Sequence, residues 1–249
     1  MDFADRLTIV RAEGERLASA AERAGLDAQV PTCPGWQVRD LVRHIGGIHR
    51  WAATIVAEAR PRPFDPFPDL EKAWPADRDL LQWFRTGRAD LVRVLETAAP
   101  DLECFAIFRD QPPREFWARR QAHETGMHRA DAEAASGPIS PFAPDQAVDG
   151  IEEMLFGFAT RRGSQLSSET ARTITFSALD AGGEWTVHIG PDAPRAERGG
   201  AADASCRVRG TASDLFLLMW NRVGVDQVEV EGDPGALEVW RDTVQVRWR

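Results

Sequence analysis

No run of about 18 consecutive apolar residues, the length a membrane span requires, occurs anywhere in the chain. The opening residues MDFADRLTIV carry acids where an export signal would carry a basic and then an apolar region. The expectation is a soluble, cytoplasmic protein. Cysteine is scarce: Cys33, Cys104 and Cys206 are odd in number, far apart and never in a C-x-x-C pair. That spacing excludes a disulfide framework and a thiolate zinc site, and leaves three reduced thiols. A surplus of basic charge is also missing, with 30 Lys plus Arg against 39 Asp plus Glu and the basic residues scattered rather than striped. Nucleic acid and anionic membrane are therefore poor partners. Tyrosine is absent, and the nine tryptophans read as large apolar anchors without a functional role. There is no internal repeat, and no low-complexity tract beyond a proline-rich loop at 61–68.

What is present changes character partway along. At 249 residues and 43% apolar content the chain can hold one or two domains. Up to residue 162 the apolar positions recur at helical spacing: Phe3, Leu7, Val10 and Leu17, then Val38, Leu41, Ile45, Ile48 and Ala52, then Leu80, Phe84, Leu91 and Leu95. Four long helices are predicted, over 2–24, 36–60, 77–99 and 114–136, with a shorter fifth over 145–161. PTCPG, RPRPFDPFPD, APDLE and SGPISPFAP separate them, because their prolines cannot continue a helix. Such helices favour an antiparallel bundle over residues 1–162.

After RRGSQLSSE the period shifts toward two. RTITFSAL, EWTVHIG, SCRVRG and DQVEVEG are short β-branched runs, and DAGGE supplies a hairpin turn between the first two. Two helices interrupt this sheet: TASDLFLLMWNR, opened by Thr211 with Asp214 three residues later, and PGALEVWRDTVQV, with Pro234 near its start. A second, α+β domain over 164–249 is expected.

Histidine is rare too, with 5 in the chain, yet His123, Glu124 and His128 fall together in RRQAHETGMHRADAE, residues 119–133. At about 100° per residue Glu124 and His128 lie about 40° apart on the helix and can bind one ion, whereas His123 and His128 diverge by about 140°. This is not the zincin H-E-x-x-H arrangement, and it makes Glu124 a ligand rather than a base. The same face collects Trp117, Arg120, Met127 and Asp131, so buried carboxylate and imidazole would need partners there. A third ligand can come from RDLVRHIGGIHRW, which offers His44 and His49. They are five apart, so one only can share the site, and periodicity does not choose between them. Two histidines with one glutamate leave a coordination position open, as in catalytic zinc sites, and suit iron or nickel as well. The plain alternative is an exposed Glu–His helix pair with core histidines. Cys33 reads as part of a turn set by Pro31 and Pro34, Trp36 as packing at a helix start, and His188 as a structural strand residue.

VPTCPGWQVRDLVRHIGGIHRW at 30–51, followed by RRQAHETGMHRADAE, resembles the mycothiol-dependent maleylpyruvate isomerase family of actinobacteria, whose N-terminal domain is a DinB-like metal-binding four-helix bundle. GTASDLFLLMWNR and VEGDPGALEVW are similar to that family's C-terminal domain, which resembles sterol carrier protein 2. The resemblance implies a divalent metal, zinc or another, held by His44, Glu124 and His128, and so selects His44 over His49. It also implies that Arg222, in MWNR, serves the reaction.

The implied chemistry uses mycothiol as a cofactor. A metal-bound thiol is deprotonated, and the thiolate adds to a conjugated cis double bond of a small carboxylate-bearing electrophile; the resulting single bond rotates, and elimination gives the trans isomer. Arg222 would neutralise a carboxylate or enolate. Arg120 is either a cofactor-binding anion partner or a salt bridge to Glu124 that competes with the metal. Asp131 is either an acceptor for the other N–H of His128 or a solvated residue near the helix end. A thiol transferase is the close variant, and a metal-dependent hydrolase or a non-catalytic binding protein are the alternatives. The expected assembly is a monomer or weak homodimer.

Overall fold

A computed structural model of the chain describes residues 1–72, 74–108 and 111–245. Among these residues are eight α-helices and one five-stranded sheet, and the chain falls into two compact units, Met1–Ser140 and Pro141–Arg249. Helices followed by a mixed sheet unit are the expected fold class. The division lies earlier than the expected 162/164 boundary.

The first unit consists of α1 (Phe3–Ala24), α2 (Val38–Ala57), α3 (Phe67–Lys72), α4 (Asp77–Thr97) and α5 (Pro113–Ala134). Asp2 and Asp5 cap α1 reciprocally: Asp5 N–H donates to Asp2 Oδ1 at 2.9 Å and Asp2 N–H to Asp5 Oδ2 at 3.0 Å. Helix α2 is shorter than its predicted 36–60 at both ends. At the start, Gln37 N–H donates to Asp40 Oδ2 at 3.0 Å, and past the end Ala59 takes a left-handed φ of 47°. The short α3 lies in what the sequence presents as a proline-rich loop.

Each long helix packs on two others, α1 and α2 both touching α4 and α5. The bundle is not uniformly antiparallel. Arg6 meets Glu115 and Arg16 meets Glu133, so α1 and α5 run the same way. Arg50 stacks 3.7 Å over Trp83 and donates to the Trp83 carbonyl at 2.7 Å, while Arg39 and Asp77 pair at the helix starts, so α2 and α4 are also parallel. The long connection through α3 allows this, because it returns the chain along the bundle before α4 begins. By contrast α2 and α5 are antiparallel, with Trp51 against Trp117 and His44 against His128.

The second unit contains α6 (Pro144–Glu152), which runs into a π-helical segment at Glu153–Ala159, then β1 (Arg172–Ala178), β2 (Gly183–Ile189), β3 (Arg195–Arg198), β4 (Cys206–Gly210), α7 (Ala212–Met219), β5 (Glu229–Gly232) and α8 (Pro234–Thr243). The sheet order is β3-β2-β1-β4-β5, antiparallel except for the β1–β4 pair. Phe176 stands opposite Trp185 and Val208 and packs on Trp240 of α8 at 5.6 Å, which ties helix to sheet. The turn after β1 uses Gly182 at φ 68°, a conformation glycine adopts without strain. At α7, Thr211 Oγ1 accepts from Asp214 N–H at 3.1 Å.

Helix α6, predicted as the fifth helix of the first domain, packs instead on α7 within the second unit. Strand β3 has no counterpart in the sequence reading: RAER at the sheet edge is charged and lacks apolar alternation. The last predicted helix was to reach Val246, which lies outside the described residues.

Candidate active site

Helix α5 is buried along nearly its whole length, although from Arg120 to Glu133 it carries ionisable residues on every side. Buried charge is tolerated only when paired, so the pairings define the helix. One set is structural. Arg129 Nε donates to Glu13 Oε2 at 2.6 Å and its Nη1 to Glu133 Oε2 at 2.8 Å and to the Ser140 carbonyl at 2.6 Å, which anchors α5 to α1.

The other set faces α2. Glu124 and His128 lie one turn apart, with Glu124 Oε2 at 3.6 Å from His128 Nε2. From α2, the His44 ring meets the His128 ring at 5.1 Å between centroids, edge to face. Trp36 at 5.0 Å and Phe67 at 5.8 Å fix the His44 ring on its other sides. His128 Nδ1 bonds Asp131 Oδ2 at 2.9 Å, and Asp131 Oδ1 accepts from the Thr32 hydroxyl at 2.6 Å. Asp131 is fully buried, so of its two expected roles the acceptor is the one found.

Arg120 Nη2 stands 3.2 Å from Glu124 Oε1. This is the ion pair raised as a competitor of metal ligation, but it engages the oxygen other than the one nearest His128. Arg120 and a cation can therefore share the carboxylate, one on each oxygen.

The remaining marked residues sort cleanly. His49 turns away from this cluster: its Nε2 bonds Thr125 Oγ1 at 2.9 Å and its ring stacks on Phe84 at 5.5 Å. Burial pushes the His49 imidazole down to about 3, helped by the charges of Arg88 and Arg50. His123 is buried in α5, and Cys33 sits half-buried in the turn before α2. Burial raises the Cys104 and Cys206 thiols above their ordinary value. His188 bonds Glu197 Oε1 at 3.0 Å across the β2–β3 pair. Arg222 lies in the second unit just past α7, where its Nη1 donates to the Trp220 carbonyl at 2.9 Å. Thr32 escaped the sequence reading, since a contact from a turn to a residue 99 positions away leaves no periodic signal.

Do these residues fit a metal ion? Among the described residues no group of three or more His, Cys, Asp or Glu side chains is placed to hold a metal ion. Pairwise, however, the distances suit one. Two imidazoles on a tetrahedral zinc have centroids about 5 Å apart, and an imidazole nitrogen and a carboxylate oxygen on it stand about 3.4 Å apart. The observed 5.1 Å and 3.6 Å are close to both. His128 Nε2 is buried, has no hydrogen-bond partner and stands 3.6 Å from a carboxylate oxygen of Glu124. His44, Glu124 and His128 together offer two nitrogens and one oxygen, donor types that a divalent ion takes.

The model of the mycothiol maleylpyruvate isomerase N-terminal domain matches residues 7–133, and that of the MDMPI C-terminal domain matches residues 145–238. A crystal structure of the mycothiol-dependent maleylpyruvate isomerase aligns with a TM-score of 0.67 at 14% identity, covering 93% of each chain. A crystal structure of a point mutant of that isomerase aligns with a TM-score of 0.68, at the same identity and coverage. No curated protein sequence matches the chain. The two family models together take in the helices of the first unit and most of the second, and the chain belongs to the mycothiol maleylpyruvate isomerase family.

Proposed function

We propose that the protein is a mycothiol-dependent isomerase, or a thiol transferase of the same chemistry, which acts on a small carboxylate-bearing electrophile with a divalent metal, zinc or another, held by His44, Glu124 and His128. The observation that supports this reading is the approach of His44 on α2 to His128 on α5, whose buried Nε2 makes no hydrogen bond and stands beside Glu124. When bound, such an ion supplies Lewis acidity that lowers the pKa of a thiol and so provides a thiolate at neutral pH.

The chain's own residues do the rest. Asp131 keeps the Nδ1 proton on His128 and leaves Nε2 as the donor atom. Arg120 holds one oxygen of Glu124 and orients the other toward His128. Trp36 and Phe67 hold the His44 ring and exclude water from it. Burial raises the Cys104 and Cys206 thiols above their ordinary value, which disfavours either as the thiolate. An external thiol is assigned that part on the strength of the family. Arg222 is assigned the substrate's negative charge on the strength of its sequence motif.

The test is turnover of a cis-unsaturated keto acid such as maleylpyruvate by metal-loaded protein. It should require mycothiol, and Arg222→Ala should reduce it at least tenfold without changing metal content. Hydrolysis of an ester or amide with no thiol present would replace this reading with a hydrolase that activates water at the same position.

A further inference from the structure

Helix α3 lies against the His44 side of the candidate site, yet none of its six residues is buried. A helix so short does not sustain itself in water. It rests on α2 through two half-buried side chains, Phe67 and Leu70. The Phe67 ring stacks on the His44 ring at 5.8 Å and 6°, and Phe67 and Leu70 close over Gly47, where a Cβ would meet them at 3.1 and 3.3 Å. Glycine inside a helix costs stability, and the atoms nearest to the missing side chain of Gly47 are those of α3. The polar bonds of α3 join it to its own neighbours in sequence: Phe67 N–H to Asp65 Oδ1 at 3.0 Å, Leu70 N–H to the Pro66 carbonyl at 3.1 Å and Lys72 Nζ to Asp69 Oδ1 at 3.3 Å. Those bonds travel with the helix. Its flanks, by contrast, are pinned to α2. Before it Trp51 Nε1 donates to the Phe64 carbonyl at 2.8 Å, and after it the Arg43 guanidinium lies 5.0 Å from the centre of the Trp74 ring.

We propose that α3 is a lid: Phe67 and Leu70 lift from Gly47, bare His44 to an incoming thiol, and reseat over it. The pinned flanks keep the segment in place while its middle moves. Lifting gives up the apolar contacts of two side chains, a small fraction of what unfolding the bundle would, so the opening belongs to the low end of local stability. Reseating shuts water out of the site. The lid's purpose rests on the reading of a metal and a thiol given above, but its opening is a property of the metal-free chain.

The experiment uses the full chain, metal-free and at one pH. Hydrogen exchange read by mass spectrometry follows residues 67–72 against residues 41–52 of α2, and diethyl pyrocarbonate, with the modified residue located by mass spectrometry, reads access to His44. In the wild type, residues 67–72 should exchange at least about 100-fold faster than the α2 core, at a rate unchanged by urea below the unfolding range. Modification of His44, compared with free N-acetylhistidine, should be slowed by the same factor as the α3 amides, to within about threefold, while buried His49 stays unmodified. Phe67→Ala should speed α3 exchange and His44 modification together, by about tenfold each, with residues 41–52 unchanged as the control for folding. Wild-type α3 that exchanges as slowly as α2, with the same urea dependence, would be a fixed wall and would overturn the proposal whatever the variant does. Faster His44 modification in Phe67→Ala without faster α3 exchange would overturn it too. In cobalt-loaded protein the association rate of mycothiol should rise by that same factor in Phe67→Ala, and an unchanged rate would show that the thiol enters elsewhere. A protein that binds no mycothiol fails the reading of the site itself, and the metal-free measurements still decide whether α3 opens over His44.

Discussion

His49 Nε2 lies 2.9 Å from Thr125 Oγ1 inside the bundle, and the Thr125 hydroxyl is already directed to the Gln121 carbonyl at 2.6 Å. The hydroxyl proton being used, His49 must donate from Nε2, and its buried Nδ1 has no acceptor for a second proton, so the imidazole is neutral. Its folded pKa of about 3 lies below the ordinary value of 6.5. The unfolded chain therefore binds a proton between these values that the folded chain refuses, and the stability that depends on neutral His49 is complete above pH 6.5 and is lost as pH falls toward 3. Urea unfolding should show a loss of about 2 kcal/mol between pH 7 and pH 5 from this group. His49→Gln should flatten that dependence, and equal slopes in the two proteins would refute the assignment.

A second expectation concerns α5. Arg129 is fully buried and holds Glu13 and Glu133 at once. Arg129→Met should cost about 3 kcal/mol in denaturant unfolding, because Glu13 and Glu133 lose their buried partner and keep only Arg16 and, for Glu133, Ser140. A cost under about 1 kcal/mol would mean that the cluster is solvated rather than structural.

The five histidines provide their own control for the metal. Protein purified without chelator should carry about one divalent ion per chain by elemental analysis. His44→Ala, Glu124→Ala and His128→Ala should each lose most of it, while His49→Ala and His123→Ala retain it. Full content in all three ligand variants would remove the site.

The long helices and four of the five strands were legible in the sequence, because each buries one face and so repeats at 3.6 or 2 residues. Helix α5 was legible for a different reason. Its ionisable residues are buried on every side and leave little apolar stripe, but Glu124 and His128 announce themselves by chemistry and spacing. What was hidden is non-local or aperiodic. Helix direction depends on the course of the connection through α3, the choice between His44 and His49 depends on how α2 is rotated against α5, and Thr32 reaches Asp131 from a turn. Edge strand β3 was missed because its alternate residues are charged.

The central claim is that an external thiol binds the metal through its sulfur. Cobalt-substituted protein tests it most directly, since a thiolate entering the coordination sphere gives a sulfur-to-metal charge-transfer band in the near ultraviolet. The band should appear on titration with mycothiol, be absent with S-methyl mycothiol, and persist in Arg222→Ala. Cobalt-loaded protein that binds mycothiol without any such band, or never binds it, would contradict the account.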